Sequence, residues 1–272
     1  MQAIRITADP NETYRIEPLA LPSQHRKGEV SAEGYRRQAS GAIPRANFNP
    51  NPADSLRAIV LSDGKFTGLA SRGGTLLTFV VSGDVTVAGG SGEPCRLHPG
   101  DILLTDEKSS SVPLEVRDQC RLIQIGVPAG WPGAGAEVQQ PGTLIPHPPG
   151  RMPKLKRIYK GEGEDDKAYF SEFSELFPGT PNQWGAAHAI TGFRMLCWED
   201  GHMDSHPCVT NQFAIALAGE MEMEVGGGGG VVETFHAGDI CLAEDRTGEG
   251  HIGRFRGVVH VVIMVIETEN LW

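Results

Sequence analysis

The sequence predicts an all-β chain folded as two packed β-sandwiches or jelly rolls. Three observations carry that expectation. Short segments alternate apolar and polar residues at period two between glycine-rich turns. No segment sustains a helical period. The order of strands and turns is written twice along the chain, the mark of an internal duplication. With 35 glycines and 19 prolines in 272 residues, the composition favours many short strands over long helices.

Taken in order, residues 3–21 begin I-R-I-T-A-D-P-N-E-T-Y-R-I-E-P-L: a strand, an acidic turn and a short second strand. Residues 156–173, K-R-I-Y-K-G-E-G-E-D-D-K-A-Y-F-S-E-F, repeat that plan. The polar stretch 23–55 is an insertion in the first half, read either as a short helix near 32–38 or as an arm reaching a partner subunit. Next come F-V-V-S-G-D-V-T-V in the first half and I-A-L-A-G-E-M-E-M-E-V in the second, each a strand, a tight glycine turn and an alternating strand. Then follow L-H-P-G-D-I-L-L-T-D-E and F-H-A-G-D-I-C-L-A-E-D. Gly83 and Gly219 stand 136 residues apart, Gly100 and Gly238 138 apart, so the copies keep step. Between them, residues 128–153 are rich in proline, which has no backbone donor. They read as a linker laid over a surface in extended form, with His147 incidental.

A formal net charge of −10 argues against non-specific nucleic-acid binding. Arg36 with Arg37, and the basic run 154–157, read as solvated surface charge. No apolar run approaches the ~20 residues needed to cross a bilayer, and the first residues hold no apolar leader. The five cysteines (95, 120, 197, 208 and 241) form no C-x-x-C pair, which suits a reduced, cytoplasmic protein.

Candidate chemistry gathers between residues 202 and 251. His206, Cys208, Gln212 and His251 are potential metal donors spread over strand-like segments. Within 212–217, Phe213, Ile215 and Leu217 share one strand face, while Gln212, Ala214 and Ala216 share the other. One amide and two alanines leave free volume, as the inner wall of a small pocket would; close packing against another backbone is the alternative. In 220–225, Met221, Met223 and Val225 alternate with Glu220, Glu222 and Glu224, giving one buried and one wet face. Cys208 reads either as a soft metal ligand or as an inert buried thiol. Gln212 reads either as a ligand or as polar wall.

These residues resemble the cupin superfamily. His206-Pro207-Cys208, three residues, Gln212, six residues and Gly219 fall on the spacing of its first motif. Cys208 stands where that motif has its second histidine, and Gln212 where it has glutamate. Gly238-Asp239, a strand, the turn E-D-R-T-G-E-G and His251 follow its second motif. The likeness covers residues 156–267, is similar to a group of uncharacterised bacterial cupins, and extends to the first half through the repeat. The chain is therefore expected to be a bicupin: residues 1–127 a first cupin, 128–155 a linker and 156–272 a second cupin. The resemblance implies two tandem double-stranded β-helix (jelly-roll) domains, with a divalent metal (Zn, Fe, Mn or Ni) and a small organic ligand in the second. It implies a homodimer by analogy, and no single activity. A metal-dependent oxygenase or isomerase, a metal-free ligand-binding sensor and a purely structural bicupin all remain open. His202 is a possible substitute ligand or pocket residue. Glu244 and Asp245 are either groups that orient an imidazole or solvated turn carboxylates. In the first half Leu76 and Pro113 stand where Gln212 and His251 would be, so no metal site is expected there. His98 and His236, each before a G-D turn, are expected to share a structural role.

Overall fold

A computed structural model describes residues 1–8, 14–30, 51–67, 74–88, 93–106, 109, 112–133, 136–137, 141–146, 148, 150–162, 165–227 and 229–266. Among these there are sixteen strands and no helix. The first half contributes β1 (Ala3–Ala8), β2 (Tyr14–Pro18), β3 (Ser23–Val30), β4 (Ser55–Leu61), β5 (Gly64–Phe66), β6 (Thr75–Val87), β7 (Cys95–Leu97), β8 (Ile102–Thr105) and β9 (Leu114–Val127). The second half contributes β10 (Leu155–Lys160), β11 (Ala168–Glu172), β12 (His188–His206), β13 (Asn211–Val225), β14 (Val231–Phe235), β15 (Ile240–Ala243) and β16 (His251–Ile266).

The pairing repeats between halves. An antiparallel hairpin, β1–β2 or β10–β11, lends its first strand to a parallel partner, β8 or β15. β6 lies between β8 and β9 as β13 lies between β15 and β16. β13 pairs with β15 over Gln212–Ile215 and then with β14 over Met221–Val225, changing partner across Gly219. Gly219 has φ 75° and Gly83, its counterpart, φ 72°, and the ladder shifts register at both. Such bulges turn a strand from one sheet of a sandwich into the other. Each half is thus a jelly roll, the double-stranded β-helix expected from the sequence.

Period two divides the side chains as anticipated. Phe213, Ile215 and Leu217 meet Leu77, Phe79, Ile123 and Ile125 of the first half in one shared apolar core, so the barrels pack sheet against sheet. Ala214, Ala216, Met221 and Met223 turn into the second barrel with Leu196, Trp198 and Phe255. Two glycines lock the halves reciprocally. A Cβ on Gly100 would lie 2.0 Å from the Leu217 carbonyl oxygen, and one on Gly238 1.9 Å from that of Val81. Asp101 and Asp239 brace matching turns. Each accepts from the backbone N–H of His98 or His236, at 2.8 and 2.9 Å, the shared structural role expected of those histidines.

The insertion 23–55 behaves unexpectedly. Its first residues, β3, pair in parallel with β12 of the second barrel from Ser23↔Met195 to Val30↔Met203. A strand from the first half therefore completes the second sheet. The helix considered near 32–38, Arg36 with Arg37, and His147 lie outside the described residues. Part of the linker runs along the second barrel, Thr143 N donating to Val258 O at 2.8 Å and Gly219 N to Thr143 O at 2.9 Å, but Trp131 leaves the surface to enter the shared core against Phe193. The basic run 154–157 is neutralised rather than solvated, Lys154 and Lys156 by Glu233 and Arg157 by Glu244.

Candidate functional site

β12 enters the second barrel with Arg194, Leu196 and Trp198 lining one cavity, while Phe193 and Met195 face the shared core. A bulge at Glu199/Gly201 then breaks the alternation. Asp200 takes φ 41°, and a Cβ on Gly201 would lie 2.3 Å from the Trp198 ring. A one-residue slip moves every later side chain to the other face. Met203 consequently lines the cavity, and His202 does not. His202 lies half-exposed with Nε2 3.1 Å from Asp204 Oδ1. Its assignment to the pocket is corrected by that bulge, which period two alone does not reveal.

A further register shift precedes His206, which faces the cavity opposite His251 of β16. The two rings lie 4.7 Å apart between centroids, tilted by 54°. Gly250 makes this approach possible. It has φ 74°, and a Cβ there would sit 2.0 Å from the His206 carbonyl oxygen. His206 Nδ1 is 2.7 Å from the carbonyl oxygen of Asp204, and His251 Nδ1 is 2.8 Å from Asp245 Oδ2. Both neighbours are acceptors, so Nδ1 carries the proton and the lone pair of each ring is left at Nε2.

Asp245 is fully buried and its Oδ1 has no hydrogen-bond partner. Its backbone carbonyl accepts from Cys208 N at 3.0 Å. Glu244 is bound to Arg157. Neither is a solvated turn carboxylate, and Asp245 is the group that orients His251. Cys208 is buried, and burial, followed by the Asp245 charge, pushes its thiol far above the ordinary range. It is therefore a neutral thiol, accepting from Gln212 Nε2 at 3.5 Å. Gln212 Oε1 in turn accepts from Arg194 Nη2 at 3.2 Å. Ala214 lines the cavity, and Ala216 is sealed within the barrel's apolar cluster.

The cavity measures about 60 Å³. Arg194, His206, Gln212 and His251 supply polar walls; Leu196, Trp198, Met221, Met223 and Phe255 supply apolar ones. Trp198 and Phe255 stack at 4.3 Å with 3° between planes, and Arg26 of β3 lies 5.8 Å from the Trp198 ring. Sequence reasoning missed Arg194, Trp198 and Arg26. A lone arginine inside the apolar run F-R-M-L-C-W, on the parity of an inward face, was the available signal for the first.

In the first barrel the equivalent positions are apolar. Phe66 pairs with Leu114 as His206 pairs with His251, and Leu76 takes the place of Gln212. The match to His251 is Leu114, since Val87↔Leu114 mirrors Val225↔His251; counting from the G-D turn to Pro113 falls one residue short.

A cation would meet a mixed welcome. Among the described residues, Cys208, Asp245 and His251 bring their donor atoms within 4.8 Å of one another. The partnerless Asp245 Oδ1 is a costly buried acceptor that a cation or proton would relieve. Both imidazoles, with Nδ1 tied down, fit the arrangement of metal-binding histidines. Gln212 does not fit as an oxygen ligand, because its oxygen already faces the Arg194 guanidinium.

No family model matches the chain, and no curated protein matches it. Solved structures do match. A cupin 2 conserved barrel domain protein from Leptotrichia buccalis is 14% identical, with a TM-score of 0.37 over 79% of this chain and 84% of that one. A protein of unknown function from Pseudomonas syringae pv. tomato is 12% identical, with a TM-score of 0.33 over 97% and 100%. A mutant of Bacillus subtilis oxalate decarboxylase is 15% identical, with a TM-score of 0.26 over 79% and 69%. Likeness at these identities speaks to fold alone. The fold itself rests on this chain's own strand pairing, which gives two jelly rolls.

Proposed function

We propose that the second barrel binds a small organic molecule in the cavity beside His206 and His251, with a divalent metal (Zn, Fe, Mn or Ni) as cofactor of an oxygenase or isomerase. One observation carries this reading: two buried imidazoles, each with Nδ1 fixed by an acceptor, line the same cavity. His206 and His251 would hold the metal through Nε2, and Asp245 keeps His251 in its tautomer. A metal so placed would polarise a carbonyl or enolate, or activate O₂ or water. The stacked Trp198 and Phe255 give the cavity an apolar wall. Metal analysis of protein purified without chelators or an immobilised-metal column tests this. One equivalent bound, and lost in His206→Ala and in His251→Ala, is expected. A protein that stays metal-free when offered Fe, Mn, Ni or Zn would refute it.

A second reading, a metal-free binding module or sensor, is favoured by the Arg194–Gln212 contact. It predicts ligand-induced thermal stabilisation that survives EDTA. A reduced, cytoplasmic setting is supported by five free cysteines; no helix among the described residues is long and apolar enough to cross a membrane. A homodimer is supported by the exposed Val231 and Val232 on β14, and sedimentation as a 29.2 kDa species would count against it.

A further inference from the structure

We propose that His25, Cys197 and His260 form a zinc site separate from the barrel cavity. The ladder sets them in one row across three strands. Cys197 of β12 pairs with His25 of β3 on one side and with His260 of β16 on the other. Directly paired residues of neighbouring strands share a face. The next pair along that face bears this out, Lys27 Nζ reaching Glu199 Oε2 at 3.1 Å. This face is not the cavity's: Leu196 and Trp198 line the cavity, and Cys197 between them does not.

The donor types and their spacing suit that metal. Cys197 Sγ and His260 Nε2 stand 4.0 Å apart, both residues buried. Two ligands of one tetrahedral zinc, at about 2.3 Å for sulfur and about 2.0 Å for nitrogen, lie about 3.5 Å from each other. A small closure therefore brings both into range. His25 is exposed and starts one strand spacing, about 4.8 Å, from Cys197. It supplies the third donor from the solvent side, with water as the fourth. Zinc takes the sulfur as thiolate, and the thiol proton leaves to solvent. The linker backs the far end of the row: a Cβ on Gly142 would lie 2.9 Å from His260 Cδ2. In the first barrel the matching pair is Val60 and Arg121, since Ser82↔Arg121 mirrors Ala218↔His260. Thiol and imidazole thus stand in the row that β3 crosses, and the metal pins that strand of one half to the sheet of the other.

Titration of the full chain with cobalt(II), a zinc substitute whose bond to a thiolate gives a charge-transfer absorption band, tests the inference. The band is expected in wild type and in His251→Ala, which disables the barrel, and is expected to vanish in Cys197→Ser. His25→Ala trims an exposed side chain and keeps the backbone pairing. It is expected to weaken cobalt binding more than about 100-fold, beyond the loss of a group that merely orients a ligand. His25→Ala decides the matter alone if Cys197→Ser fails to fold. A wild-type chain without the band overturns the site, as does a band that survives Cys197→Ser or binding unchanged in His25→Ala. A band lost in folded His251→Ala places the metal in the barrel, which overturns this inference and leaves the barrel reading standing.

Discussion

At Gly250 a left-handed backbone and the carbonyl of His206 leave no space for a side chain. Gly250→Ala should cost about 1–3 kcal/mol, from the strained φ alone, and should displace His251. Urea denaturation measures the first, and a midpoint equal to wild type would contradict it. Glu224 shows a different burial cost. The strand alternation placed it on a wet face, but it is 4% exposed, folded under the glycine turn to accept from Gly229 N at 2.5 Å and from Arg254. The Arg254 hydrogen bond holds its carboxyl below the ordinary value of 4.5. The stabilisation is therefore present above pH 4.5 and is lost as pH falls through the folded value. Glu224→Gln should flatten the acid limb of stability against pH; an unchanged limb would show that other groups set it. His206, Gln212, Ala214 and His251 were legible because strand period and motif spacing place them. Asp245 was legible only as one of two alternatives, because the contact between its turn and the Cys208 backbone that separates them is long-range.

Among the elements, β3 is the one that local sequence hides. S-Q-H-R-K-G-E-V has no apolar alternation and becomes a strand through its pairing with β12. Long-range pairing of this kind leaves no local period to read. β13, by contrast, declared its glycine bend and the faces of residues 212–217 in advance. The crossing of β3 predicts that a fragment starting at residue 155 exposes the edge of β12. Such a fragment should aggregate or fail to show native circular dichroism, and an added peptide of residues 23–30 should restore solubility. A soluble, cooperatively folded fragment would show that β3 is dispensable. Arg26→Ala tests a smaller part, the cation over Trp198, and should cost about 0.5–1 kcal/mol.

For the molecule as a whole, the duplication was readable from matched glycines, and the structure explains their persistence: each half's turn glycine presses on the other half's strand. The packing of the two barrels was not readable, because an apolar face on period two does not name its partner. With one core shared between halves, thermal unfolding should show a single calorimetric transition. Two separated transitions would show that the barrels melt independently. Phe213→Ala, at a fully buried position of that core, should cost about 3–5 kcal/mol while leaving one transition. The crossing strand also sets a clock on biosynthesis. Lys27 and its partner Glu199 are 172 residues apart. At about 5–20 residues per second, β3 leaves the ribosome roughly 9–34 s before the strand that receives it exists. A segment that must wait that long in water is safest when polar and without a sticky apolar run, and S-Q-H-R-K-G-E-V is such a segment.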